Sequence, residues 1–143
     1  MSVSNFASNA KLAFKTVEEA FPPVDPGERP LGSRVMVQIR KAVQKTKGGI
    51  VLPSEVQKTE HDNTQVAKLI GAGPLAFRNR DTGQPWPEGD WVEVGKFVRV
   101  PKYGGDRKEM TDASGEAVVF AVFNDTDLLT EVTGDPRDVR AFI

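Results

Sequence analysis

Arg34-Val35-Met36-Val37-Gln38-Ile39-Arg40 places Val35, Val37 and Ile39 at every second position. Successive side chains of a strand point to opposite faces, so this alternation predicts a β-strand with one apolar face. Further along the chain, residues 64–70 form a second candidate strand, closed by Gly71-Ala72-Gly73-Pro74. Residues 91–94 and 97–100 read as two more, split by Gly95-Lys96. Ala117-Val118-Val119-Phe120-Ala121-Val122-Phe123 is the most continuously apolar stretch and predicts a buried strand. Short strands, Gly/Pro turns and little helix predict a mainly β fold, a small barrel or sandwich.

Towards the N-terminus the periodicity changes. Leu12, Ala13, Phe14, Val17, Ala20 and Phe21 fall near helical spacing over residues 9–21, with Asn9 as N-cap. Pro22 and Pro23 end that pattern, and the prolines up to Pro30 read as a semi-rigid linker. Three regions result: an extension over residues 1–29, a β-domain over 30–133 and a tail over 134–143. An amphipathic stripe of this size either packs on its own domain or docks on a neighbour.

Composition removes whole classes of chemistry. The chain has 143 residues and a net charge of −1, which predicts one soluble domain. Without cysteine there is no disulfide, thiolate zinc site, iron–sulfur cluster or cysteine nucleophile. The single histidine, His61, sits in the polar run Lys58-Thr59-Glu60-His61-Asp62-Asn63 and reads as a solvated loop residue. No carboxylate spacing resembles a calcium loop, so neither a metal nor a catalytic residue is assigned. Near-neutral charge argues against binding nucleic acid or an anionic membrane. No apolar run spans a bilayer, and residues 1–10 lack a secretory pattern, so a cytoplasmic location is expected.

Two long polar connections remain, residues 41–63 and 74–89, and loops of that length are usually functional or disordered. The first contains Lys47-Gly48-Gly49-Ile50-Val51-Leu52-Pro53, an apolar triplet bracketed by residues that do not extend a strand easily. Displayed on a solvated tether, Ile50, Val51 and Leu52 would regain solvation free energy by burial on a partner. The same triplet also reads as a short core strand.

In order along the chain, Arg29-Pro30-Leu31, Arg34-Val35, Gly48-Gly49-Ile50-Val51-Leu52-Pro53, Lys102-Tyr103-Gly104-Gly105 and Asp127-Leu128-Leu129 resemble the GroES (chaperonin-10) family. The resemblance runs from Arg29 to about Val132. It implies a GroES-like β-barrel with a mobile loop and a roof hairpin, the latter over residues 74–89. It also implies a co-chaperonin that forms a seven-membered ring and caps a GroEL-type chaperonin when nucleotide is bound. ATP would then belong to the partner, with no cofactor on this chain. Carried over residue by residue, Gly48 and Gly49 supply the turn and Ile50, Val51 and Leu52 the chaperonin-binding triplet. Leu31 of one subunit would meet Leu128 and Leu129 of the next. The chain departs from the pattern at Ser33, where the family usually has Asp, and in residues 1–28 and 134–143. Such divergence fits a virus-encoded member serving a large substrate.

Three other readings compete. A GroES-like dehydrogenase would need a nucleotide-binding domain, a Gly-x-Gly-x-x-Gly run and a zinc site, none of which the sequence has. An OB-like binder of single-stranded nucleic acid would need aromatic platforms beside a basic groove, for which Trp86, Trp91, Phe97, Arg99, Lys102 and Tyr103 are the candidates. The strand pattern instead assigns Trp91 and Phe97 to the core. A structural ring or virion protein on the same fold shares the expected oligomer and differs in binding no chaperonin.

Overall fold

β1, Arg34–Ile39, lies at the centre of the sheet because both of its edges find antiparallel partners. On one side β2, Val66–Ala72, pairs Val35 with Ala72 and Ile39 with Ala67, with a bulge at Met36/Val37. On the other, the apolar run predicted to be buried forms a later strand, Ala117–Asn124, pairing Arg34 with Asn124 and Gln38 with Phe120. Phe97–Arg99 makes β3 beside β2. Asp106–Thr111 makes β4 and Ala117–Asn124 is β5, so these two form a hairpin. Thr130–Glu131, β6, closes the order β4-β5-β1-β2-β3-β6. This computed structural model describes residues 14–41, 65–102 and 104–137.

The expected mainly β fold is therefore present, and the period-2 reading fixes its core. Val35, Val37 and Ile39 meet Ala67, Leu69, Val98, Val100, Val119, Ala121 and Phe123 in one buried cluster. β1 is also covered on its second face, where Met36 and Gln38 are buried. Part of that cover is the proline segment, since Gln38 Nε2 donates to the Pro22 carbonyl at 2.7 Å. Lys108 Nζ on β4 reaches the Pro26 carbonyl at 2.6 Å, so the segment crosses from β1 to the sheet edge.

The N-terminal stripe packs on its own chain. Phe14, Ala20 and Phe21 are buried with Val66, and Val17, Phe97 and Val132 close over them. Phe21 and Phe97 lie 5.0 Å apart, tilted at 53°. In the described part of that stripe the helix, α1, is Val17–Ala20, capped by Thr16, whose Oγ1 accepts from the Glu19 amide at 3.1 Å. Residues 14–16 are not helical, because a Thr side chain that caps the first turn leaves the helix nothing to extend from. Asn9, Leu12 and Ala13 lie outside the described residues.

Two strand expectations are corrected. Residues 91–94 are irregular bends and turn rather than strand, with Trp91 and Val94 exposed and only Val92 buried. They deliver the chain to β3 through Gly95, at φ +99°, and among the described residues no strand pairs with them. The second strand begins two residues later than expected and runs through Gly71 to Ala72. Gly73 marks its true end, where a Cβ would lie 2.2 Å from the Gly32 carbonyl oxygen. That close crossing lets Gly73 donate to Arg34 O and Leu75 donate to Gly32 O, at 2.8 and 2.9 Å.

Candidate functional site

Gly48, Gly49, Ile50, Val51 and Leu52 lie outside the described residues, but both points at which their segment leaves the sheet are described. At the N-terminal root the Arg40 amide donates to Val66 O at 3.0 Å, and the Lys41 amide donates to Ala20 O at 3.0 Å. At the C-terminal root Val100 N donates to Gln65 O at 2.7 Å, and Gln65 Nε2 returns a bond to Val100 O at 3.1 Å. The two roots thus lie side by side on β2 and share partners with α1 and β3.

Charge reinforces the first root. Lys41 Nζ lies 3.1 Å from Asp112 Oδ2 and 2.9 Å from Glu116 Oε1, on the turn between β4 and β5. Burial opposes the Lys41 charge, but hydrogen bonds to Glu116 and Asp112 prevail and raise its pKa above the ordinary lysine value. The Ser114 hydroxyl, 2.6 Å away, is the largest influence on Asp112 and with Lys41 holds that carboxyl well below the usual carboxylate range, against burial. Its hydrogen bond to Lys41 likewise lowers Glu116. Arg40, fully buried, sends Nη1 to the carbonyls of Pro136 and Arg137, both at 3.3 Å.

The second long connection is a small hairpin. Arg78 bridges Pro85, Asn79 N donates to Gln84 O at 2.9 Å, and Gly83 N donates to Asn79 O at 2.7 Å. Its base is Phe77, a core residue held at φ +61° in the left-handed region that non-glycine residues seldom occupy. Asp125 accounts for that conformation: its buried carboxylate accepts from Phe77 N at 2.9 Å, Thr126 N at 2.8 Å and Arg80 Nη2 at 3.2 Å. Trp86 stacks on Trp91 at 6.1 Å, and Phe77 meets Trp91 at 5.5 Å. Trp91, expected in the core, is instead 39% exposed, because its ring packs on Trp86 at the hairpin base rather than between sheet faces.

The remaining candidates divide into two places. Leu31, 60% exposed, precedes β1 and stands near Leu75, which is also exposed. Leu128 packs against the main core, while Leu129 is 48% exposed and its amide donates to Arg99 O at 2.9 Å. Leu128 and Leu129 line a hollow of about 330 Å³ with Trp91, Val92, Val98, Thr130 and Glu131. Among the described residues β6 pairs with β3 alone, so its outer edge is open beside this hollow. A sheet edge with exposed apolar side chains is a natural contact surface for another chain. Sequence reasoning missed Leu75, Arg40 and Asp125; an isolated leucine and two charges carry no periodic signal of their role.

Gly105, in the Lys102-Tyr103-Gly104-Gly105 run, sits at φ +79° with the Phe123 ring 2.7 Å from where a Cβ would be. Only glycine fits there, which gives that run a structural reason. Among the described residues no helix is long and apolar enough to cross a membrane.

Comparison with known proteins covers most of this architecture. Residues 28–131, from the end of the proline segment to β6, match the model of the Cpn10 family, the chaperonin 10 kDa subunit. The chain is 30% identical over 111 residues to the co-chaperonin GroES of Methylacidiphilum infernorum (isolate V4), covering 78% of this chain and 99% of that protein.

Proposed function

The chain belongs to the chaperonin 10 kDa subunit family, and from that premise we propose that it is a co-chaperonin whose ring closes one end of a GroEL-type chaperonin in a nucleotide-dependent way. The observation that carries this reading is the match over residues 28–131, which includes both roots of the 42–64 segment and the open edge at β6. Ile50, Val51 and Leu52 dock on the chaperonin, with Gly48 and Gly49 supplying the turn. Leu31 of each subunit meets Leu128 and Leu129 of the next, a head-to-tail contact that closes into a ring of seven. The exposure of Leu31 and Leu129 in the single chain supports that pairing. Residues 74–89 face the top of the dome as its roof.

The ring explains how a three-residue contact suffices. One triplet binds weakly, but tethered copies act at high effective concentration and together hold the lid, while each contact stays weak enough to release. ATP is bound by the chaperonin, and this chain takes no cofactor, catalyses no reaction and works in the cytoplasm, that of the host if the protein is viral.

The test is native mass analysis of the protein mixed with a GroEL-type chaperonin, with and without ATP. A nucleotide-dependent complex carrying one ring of this chain is expected. Ile50→Asp should keep the ring and lose the complex, since a carboxylate cannot be buried unpaired in an apolar contact. Retention of chaperonin binding by that variant overturns the assignment, and a ring that ignores chaperonin in the wild type favours a structural role.

A further inference from the structure

The residues outside the family match converge on one place. From the N-terminal side come Phe14, Lys15 and α1; from the C-terminal side come Asp135, Pro136 and Arg137. Arg137 joins them: its Nη1 donates to Lys15 O at 2.6 Å and Phe14 O at 3.3 Å. The same guanidinium is oriented by Asp135, through Nη2 to Oδ2 at 2.7 Å and Nε to Oδ1 at 3.0 Å. A planar fork held from one side by a carboxylate presents its remaining donors in a fixed direction, which here is the start of the N-terminal flank.

Both flanks then reach the roots of residues 42–64. The C-terminal flank supplies the Pro136 and Arg137 carbonyls that receive Arg40. The N-terminal flank supplies the Ala20 carbonyl that receives the Lys41 amide, and Phe21, which packs with Val66 and Phe97 at the other root. Arg40, Lys41 and Val66 are the residues through which the segment enters and leaves the sheet. Nothing in the β-sheet pairing alone requires the flanks at this point, since Arg40 N already bonds Val66 O.

We propose that the two flanks form a single brace, locked by Arg137, that fixes the roots of residues 42–64 and thereby sets how strongly the segment docks on the chaperonin. Arg137 is a positioning residue, acting through Arg40 and Ala20 without touching the partner. Fixing Arg40, Lys41 and Val66 narrows the directions in which the chain leaves and re-enters the sheet, so the brace raises affinity by pre-organisation without adding a contact. The docking half of this proposal rests on the function proposed above; the half concerning the roots does not.

The experiment compares the full-length wild type with Arg137→Ala by amide hydrogen exchange and by ATP-dependent chaperonin association, counting intact rings only by native mass. Exchange at the Arg40 and Lys41 amides should accelerate roughly tenfold in Arg137→Ala while amides shared by β4 and β5 keep their rates. Association should weaken several-fold. Asp135→Asn, which loosens the guanidinium but keeps it, should give a smaller change of the same sign and serves if Arg137→Ala rings do not assemble. Unchanged exchange at Arg40 and Lys41 overturns the brace. Faster exchange there with unchanged association also overturns it, reducing the flanks to a stabilising wrap, as does equal acceleration of every amide. A wild type that binds no chaperonin overturns the proposed function instead, and the exchange rates then decide alone whether the flanks hold the roots.

Discussion

The two long connections of this chain are anchored by opposite strategies. At the base of the hairpin at residues 78–85 one buried side chain, Asp125, gathers the Phe77 amide, the Thr126 amide and Arg80. The roots of residues 42–64 are held by many modest links: main-chain bonds to Val66 and Ala20, the Lys41 ion cluster and the carbonyls around Arg40. A single buried carboxylate concentrates three hydrogen bonds in one residue, so its removal costs all of them at once. A distributed root spreads its hold, so removing one link costs only that link's share of the stability.

The sharpest way to break this contrast is Asp125→Ala. It leaves the Phe77 amide buried without its acceptor and removes the interaction that holds Phe77 at φ +61°, so a loss of about 3 kcal/mol is expected. Urea midpoints at fixed protomer concentration would measure it. Asp125→Asn keeps one acceptor and should lose about half as much. If Asp125→Ala costs no more than removal of a single link at the other root, the two anchors do not differ as described.

Acid titration probes the distributed root more gently. Glu116 and Asp112 have folded pKa values below their ordinary ones, so their stabilisation is full above the unfolded values, near 4.5 and 3.8, and is lost as pH falls through the folded values. Lys41 is raised, so its share is complete below its unfolded value of 10.5 and disappears as pH rises beyond it. The cluster should therefore contribute a flat profile between about pH 5 and 10, with losses on either side. Because Glu116 is partly exposed, Glu116→Gln should make the acid-side fall in urea midpoint only slightly shallower. A large change at neutral pH would mean that Lys41 depends on one partner after all.

How much of this was legible in the sequence follows from where each residue's neighbours come from. Val35, Val37 and Ile39 announced β1 because a central strand buries one face along its whole length, and the apolar run at 117–123 announced β5 for the same reason. β4, Asp106–Thr111, escaped notice because an edge strand is half solvated and its Asp, Arg, Lys and Glu residues carry no apolar alternation. Residues 91–94 looked like a strand because Trp and Val are strand formers, yet propensity cannot supply a neighbour to pair with. Nothing local marks Arg40 and Asp125 as buried, because their burial depends on carbonyls and amides distant in the chain. Spacing alone read Ile50, Val51 and Leu52 rather as a short core strand, and only the ordered resemblance from Arg29 to Val132 gave them a docking role.

The smallest expected effect lies where the N-terminal flank leaves the sheet. Lys108 Nζ contacts the Pro26 carbonyl at 2.6 Å and Glu28 Oε2 at 3.0 Å, with both side chains substantially exposed. Exposed ion pairs gain little because water and salt screen them and ordering two long side chains has its own cost. Lys108→Ala should therefore lower stability by less than about 1 kcal/mol, and raising the salt concentration should shrink even that. The comparison sharpens here: at the roots of residues 42–64 the flank is fastened by buried aromatic packing and main-chain bonds, which salt does not weaken, whereas at Pro26 it is tethered by a screened charge. Stability of Lys108→Ala that matches wild type at high salt, beside an undiminished loss in Phe21→Ala, would place the flank's hold at the loop roots and not along the sheet edge.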